Sequence, residues 1–288
     1  MTESRTKSLF VSDLHGKPER FQKLFQIIAE KIPSLVFIGG DFLPMAYHYD
    51  SSFPGGFIHD FMIPQLAALK ESMAAKYPRV FIIMGNDDAR VEEPALYEMQ
   101  RLGFLEYIHN RAVALDRYSV YGYAFVPPTP FQLKDWERYD ISRFVDPGSI
   151  SPEEGRYSIP VNEREKKYST IKADLEKLAG ESNLENAILL FHAPPYKTFL
   201  DRAALDNVKF DHAPLDIHAG SMAIRQFIEN RQPLLTLHGH IHESARLTGH
   251  WHDKLGRTHM YGAAHDGPEL ALISFNLENP DAAQRLLL

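Results

Sequence analysis

The chain of 288 residues contains no cysteine. Disulfides and thiolate metal sites are therefore excluded, although this alone does not identify a compartment. No stretch approaches the roughly 18 consecutive apolar residues of a membrane-spanning helix. The first residues, Met1 to Ser8, are polar and lack the apolar core of a signal peptide. The expectation is a soluble, cytoplasmic protein that engages no membrane. A basic excess is also missing: 31 Lys and Arg stand against 38 Asp and Glu, a formal charge of −7 with His neutral. That argues against tracking a nucleic-acid backbone by bulk charge, and leaves a local basic groove open. There is no internal repeat and no low-complexity tract.

What is present is an ordinary apolar content of 44% and a raised count of 14 histidines. The length suits one large α/β domain or two small ones. Ser8–Val11, Leu35–Ile38, Arg79–Met84, Ala187–Phe191 and Pro233–Leu237 read as buried strands. Helices are expected over Pro18–Lys31, from about Phe57 to Tyr77, from about Glu163 to Ala179, and after the N-cap Ser221. The β-α-β-α-β order at the start implies a sheet covered on both faces. Tyr118–Val126 reads as a hairpin arm, and the tail from about Ala245 to Phe275 as an antiparallel second sheet. Pro127–Pro128–Thr129–Pro130 opens a polar, aromatic, turn-rich stretch. It has too little aliphatic content for its own core. Residues 1–288 are therefore expected to form a single domain, with a cap or insertion at about 127–161.

Five polar clusters directly follow the apolar runs: Asp13-Leu14-His15, Gly39-Gly40-Asp41, Gly85-Asn86-Asp87, His192 after Phe191, and Gly239-His240-Ile241-His242. In an open α/β sheet such positions gather outside the carboxyl ends of the strands. Asp13 and His15, and likewise His240 and His242, are two residues apart, so on an extended strand end each pair points to one side. Asp, neutral His and an Asn carbonyl make a mixed N/O donor set suited to Mn, Fe, Zn or Ni. Seven candidate ligands exceed one tetrahedral ion but suit two divalent ions sharing a carboxylate. Such a pair clamps the attacking and leaving oxygens of an in-line displacement and supplies hydroxide near neutral pH.

The ordered set Asp-x-His, Gly-Gly-Asp, Gly-Asn-x, a strand-end His and Gly-His-x-His resembles the calcineurin-like metallophosphoesterases. The resemblance spans residues 13 to 242. It implies a four-layer α/β/β/α sandwich of two mixed β-sheets and a dinuclear centre that hydrolyses phosphate esters by attack of a metal-bridging hydroxide. It also implies that Asp13, His15 and His242 bind one ion, that Asn86, His192 and His240 bind the other, and that Asp41 bridges them. Asp41, Asn86 and His192 would then be the residues closest to the chemistry.

One departure counts. Many relatives follow the Asn of the third motif with a His over the substrate phosphate that can protonate the leaving group. Here the place holds Asp87, then Asp88. The general acid is thus unassigned, with Asp87 and His265 as candidates. The expected substrate is a phosphodiester or a small phosphorylated metabolite. A nuclease of the same superfamily and a non-catalytic scaffold of the same fold are the rival readings. Two branches are excluded. Protein Ser/Thr phosphatases carry Asp-Arg-Gly and Asn-His-Glu, where this chain has Asp41-Phe42-Leu43-Pro44 and Asn86-Asp87-Asp88. Purple acid phosphatases place a Tyr three residues after the bridging Asp, where this chain has Pro44. His238 reads as a core or outer group, Trp136, Tyr139, Arg138 and Arg143 as packing of the insertion, and His212 and His218 as surface loop.

Overall fold

The computed structural model describes residues 6–45, 53 and 55–288. Residues 1–5 and most of the loop Phe42–Gly56 lie outside them. In chain order the elements are β1 (Lys7–Val11), α1 (Pro18–Lys31), β2 (Leu35–Gly39), α2 (Ile63–Met73), β3 (Arg79–Ile83), α3 (Glu93–Arg101), β4 (Glu106–Tyr107), β5 (Arg111–Leu115) and β6 (Tyr118–Tyr123). They continue with α4 (Glu163–Tyr168), α5 (Ile171–Ala179), β7 (Ala187–Phe191), β8 (Lys209–Phe210), β9 (Ala213–Pro214), α6 (Met222–Arg231), β10 (Leu235–His238) and α7 (Ser244–Thr248). The last four are β11 (His252–Leu255), β12 (Thr258–Gly262), β13 (Ala271–Asn276) and β14 (Asn279–Leu287).

Two six-stranded sheets result, ordered β14-β13-β1-β2-β3-β4 and β11-β12-β10-β7-β6-β5. In the first, β1 through β4 are parallel and β13 and β14 add antiparallel edges. In the second, β12, β10, β7 and β6 are parallel, with β11 and β5 antiparallel at the rims. β2 faces β7 and β3 faces β6, so the sheets pack on each other. Helices α1 and α2 meet over the first sheet, and α5 and α6 over the second. This is the four-layer α/β sandwich of two mixed sheets. Its central strands are apolar throughout because both faces are covered: all five residues of β2 and of β7 are buried. Phe21, Leu24, Phe25 and Ile28 give α1 its buried face, and Pro18 fits its first turn.

Several sequence expectations need correcting. Tyr118 does begin a hairpin arm, β6, paired antiparallel with β5, but the strand ends at Tyr123 rather than Val126. The tail forms no sheet of its own: β11 and β12 extend the second sheet, and β13 and β14 extend the first. Short alternating strands do not reveal which edge they join. The helix expected over 163–179 is two helices, because Thr170 is extended and its hydroxyl accepts from the Ala173 amide to start α5 anew. The helix expected over 57–77 is a π-helical turn (Ile58–Met62), then α2, then a 3-10 turn (Ala74–Lys76).

Residues 127–161 contain no helix or strand, only isolated bridges such as Val126 with Glu137 and Leu133 with Arg156. Polar burial replaces apolar periodicity there. Lys134 and Glu137 form a fully buried ion pair, and Glu137 also accepts from the amide and hydroxyl of Thr129. Burial pushes Glu137 up to about 7, against the pull of Lys134. Asp140 accepts from Ser221 Oγ and from the Met222 and Ala223 amides, joining the segment to the start of α6. Trp136 is buried beside Phe125 and His109.

This packing generates two predictions. Lys134→Met leaves a buried carboxylate without its cation, and should lower unfolding stability by about 3 kcal/mol in denaturant titration. Adding Glu137→Gln should recover much of that loss; a single variant as stable as wild type would contradict the account. His109 lies among Tyr107, Tyr123, Phe125 and Trp136, and its Nδ1 accepts from the Ala124 amide. Burial, with Arg138 and Arg90 nearby, lowers its pKa to about 3. The unfolded chain takes up a proton here near pH 6.5 and the folded chain does not, so stability is lost as pH falls from about 6.5 toward 3. The slope from this group is at most about 1.4 kcal/mol per pH unit. Melting curves of His109→Gln should show a flatter decline over that range than wild type; parallel declines would remove His109 as a contributor.

Candidate metal centre

The loops that leave β1, β2, β3, β7 and β10 are laced to one another at one end of the sandwich. The loop after β1 runs beside the loop after β2: the Asp13, His15 and Gly16 amides donate to the Gly40, Asp41 and Phe42 carbonyls. The Gly239 amide donates to the His192 carbonyl, joining the ends of β10 and β7. The Asp87 amide donates to Asp41 Oδ1 at 2.8 Å, and the His240 amide to Asp13 Oδ1 at 3.1 Å. Four of the candidate ligand residues hold left-handed backbone: Asp13 (φ 57°), His15 (48°), Asp41 (48°) and His240 (75°). Such conformations cost on the order of 1 kcal/mol or more each in L residues and gather at functional sites. Two glycines are needed for contact. A Cβ on Gly85 would stand 2.3 Å from Asp41 Oδ1, and one on Gly239 2.0 Å from Ser12 Oγ.

The side chains form two groups. Asp13, His15, Asp41 and His242 can each turn a donor atom to within 4.8 Å of the others, and so can Asp41, His192 and His240. Asp41 belongs to both. Asn86 joins the second group, with its Oδ1 3.1 Å from His192 Nε2. In the first group His15 Nε2 and His242 Nε2 are 3.1 Å apart, and His242 Nε2 is 3.1 Å from Asp13 Oδ1. The His192 Nδ1–H donates to the Gly39 carbonyl at 2.8 Å, which directs Nε2 to Asp41 Oδ2 at 3.1 Å. Oxygen and imidazole donors crowded in this way, with Asp13, Asp41, Asn86 and His192 buried, form a cluster able to bind metal.

Electrostatics reflect that crowding. Burial alone would raise both carboxylates, yet His242 and its neighbours hold Asp13 far below the usual range, and His192 lowers Asp41. Burial would likewise lower the imidazoles, but Asp41 lifts His192 to about 10 and Asp13 lifts His242 to about 9. His240, buried and beside His192, is lowered to about 3. His15 is lowered by burial. Asp87 is raised to about 7, first by burial and then by Asp41.

Two supporting residues escaped sequence reasoning. Asp88 is fully buried and accepts from the Leu43 amide at 2.8 Å, the Gly85 amide at 2.9 Å and the Phe42 amide at 3.4 Å. It ties the Asp41 loop to the Asn86 loop. Arg20 is 5% exposed and donates to the Asp13, Gly267 and Pro268 carbonyls. A charged residue on the apolar side of α1, next to Phe21, was the available signal. His238 lies in the core, with Nδ1 against the Ala193 carbonyl and Nε2 against Thr236 Oγ1. His265 faces Glu269 and Asp266. Arg138 pairs with Asp174 and Glu165, Arg143 with Glu153, and His218 with Asp201. Tyr139 is buried and His212 exposed.

Comparison with known proteins agrees with this geometry. The family model of calcineurin-like phosphoesterases matches residues 6–244. The uncharacterized protein MJ1162 of Methanocaldococcus jannaschii is 42% identical over 78 residues, which span 26% of this chain and 30% of that protein. Among solved structures, TT1561 of Thermus thermophilus is similar with a TM-score of 0.58 and 16% identity, covering 99% of both chains. A dimetal phosphatase from Danio rerio is similar with a TM-score of 0.53 and 11% identity over 94% of this chain and 92% of its own. At such identities the solved structures speak for the fold, while the family match spans most of the chain and all five loops that carry the candidate donors. This chain belongs to the calcineurin-like phosphoesterase family.

Proposed function

We propose that this chain hydrolyses phosphate esters, phosphodiesters or small phosphorylated metabolites, at a pair of divalent ions. Asp13, His15 and His242 would hold one ion, Asn86, His192 and His240 the other, and Asp41 both. The observation that carries this reading is that the two donor groups share Asp41. The donors fit the role: oxygen and imidazole without thiolate suit Mn, Fe, Zn or Ni, with manganese the first choice to test. When bound, such an ion pair supplies an activated water and a positive clamp on the oxygens that enter and leave phosphorus.

The chain's own residues prepare that site. Asp41 stays ionised because imidazoles surround it and because the Asp87 amide donates to it. His192 keeps Nε2 available because Nδ1 is tied to Gly39. The arm after His192 and the 127–161 segment approach from the same end. The Ala204 amide donates to Glu243, one residue past His242, and the Arg90 amide, four past Asn86, donates to Asp135. We assign both the role of shaping the pocket around a small ester. When ionised, the Asp87 carboxylate, 24% exposed, favours diesters, since a monoester brings a second negative charge toward it. The net charge of −7 supports a small-molecule substrate over a nucleic acid.

Metal-stripped protein should regain hydrolysis of bis(p-nitrophenyl) phosphate when Mn²⁺ is added, with two ions taken up per chain. Asp41→Asn should lower that rate by about a hundredfold or more and lose uptake at both sites. A variant with wild-type rate would remove Asp41 as the shared ligand. At matched leaving group, kcat/KM should be higher for the diester than for p-nitrophenyl phosphate; the reverse order would contradict the charge argument.

A further inference from the structure

We infer that Asp87 is a positioning residue that orients one ligand of each donor group, rather than the proton donor that its place in the motif suggests. This rests on the dinuclear reading above. Three contacts converge on Asp87. Its backbone amide donates to Asp41 Oδ1 at 2.8 Å. Its Oδ1 accepts from Asn86 Nδ2 at 3.0 Å. Its Oδ2 stands 3.7 Å from His15 Nδ1.

Each of the two side-chain contacts settles a choice the neighbouring side chain would otherwise leave open. An Asn amide offers an oxygen acceptor on one side and a nitrogen donor on the other. With Nδ2 of Asn86 occupied by Asp87, its Oδ1 faces His192 Nε2 at 3.1 Å, inside the second group. A turned amide would present N–H to an ion. His15 likewise has two ring nitrogens. Its Nε2 lies in the first group, 3.1 Å from His242 Nε2, so Nδ1 is the outer nitrogen. A carboxylate facing the outer nitrogen favours a proton there and leaves Nε2 free to coordinate. The molecule applies the same device to His192, whose outer Nδ1 donates to the Gly39 carbonyl. His15 has Asp87 in the corresponding place. A single carboxyl side chain with two oxygens can serve Asn86 and His15 together; an imidazole at position 87 could not.

The experiment is Mn²⁺ titration calorimetry on metal-stripped wild type, Asp87→Ala and Asp87→Asn. It is paired with rates at saturating Mn²⁺ on aryl phosphodiesters whose leaving groups span a range of pKa. Asp87→Ala should bind Mn²⁺ about 10- to 100-fold more weakly. Its rate should recover with excess Mn²⁺, and any loss that remains should be equal for good and poor leaving groups. Asp87→Asn keeps an acceptor for Asn86 and should fall between Asp87→Ala and wild type in affinity. Wild-type Mn²⁺ affinity in Asp87→Ala would overturn the inference, and a rate loss growing with leaving-group pKa would identify Asp87 as the acid instead. Wild-type protein that takes up no Mn²⁺ would overturn the dinuclear reading itself, and is distinguished by failing before any variant is compared. Circular dichroism of both variants checks that they are folded.

Discussion

Two buried carboxylates, Asp13 and Asp41, share one end of the sandwich with the imidazoles of His15, His192, His240 and His242. That crowding is the constraint on which the rest of this end depends. The Nε2 atoms of His15 and His242 stand only 3.1 Å apart, and both carboxylates lie within the same cluster. They are held by a backbone that accepts left-handed conformations at Asp13, His15, Asp41 and His240, and by amides that lace each loop to the next. A fold that keeps such an arrangement stabilises it from outside the cluster. Asp88 and Arg20 supply part of that support: one draws three amides together beneath the Asp41 loop, and the other clamps the Asp13 loop to the turn at Gly267.

The same constraint explains the architecture around the centre. Parallel strands in both sheets bring their carboxyl ends to one place, so donor side chains far apart in sequence, such as Asp13 and His242, can meet. Antiparallel pairing is confined to the flanks, at β13 and β14 in one sheet and at β11 and β5 in the other. The segments that flank the centre cannot draw on sheet pairing. They hold together through buried charge and caps instead: Lys134 with Glu137, and Asp140 at the start of α6. Asp87 belongs to this logic as well. The position that could face substrate is engaged with the candidate ligands, through Asn86, His15 and Asp41.

Strand ends were legible because each is a short run of large apolar residues stopped by Gly or a polar cluster, as in Leu35–Gly39 and Ala187–Phe191. The residues that meet around Asp41 were legible for the same reason: their types and spacing carry donor chemistry that turns alone do not require. Three things were not. The tail strands β11 to β14 look alike in sequence, yet they divide between two sheets according to long-range pairing. The 127–161 segment shows no periodicity because its interior is polar. The roles of Asp87, Asp88 and Arg20 depend on which backbone amides and carbonyls come near them, and no local pattern encodes that.

The central claim is that Asp41 joins two ions into one centre. Electron paramagnetic resonance of the Mn²⁺-loaded protein tests it most directly, because two ions about 3.5–4 Å apart across a shared carboxylate are magnetically coupled. The account predicts the spectrum of a coupled pair at two ions per chain. A spectrum of isolated Mn²⁺ ions at that loading would contradict it.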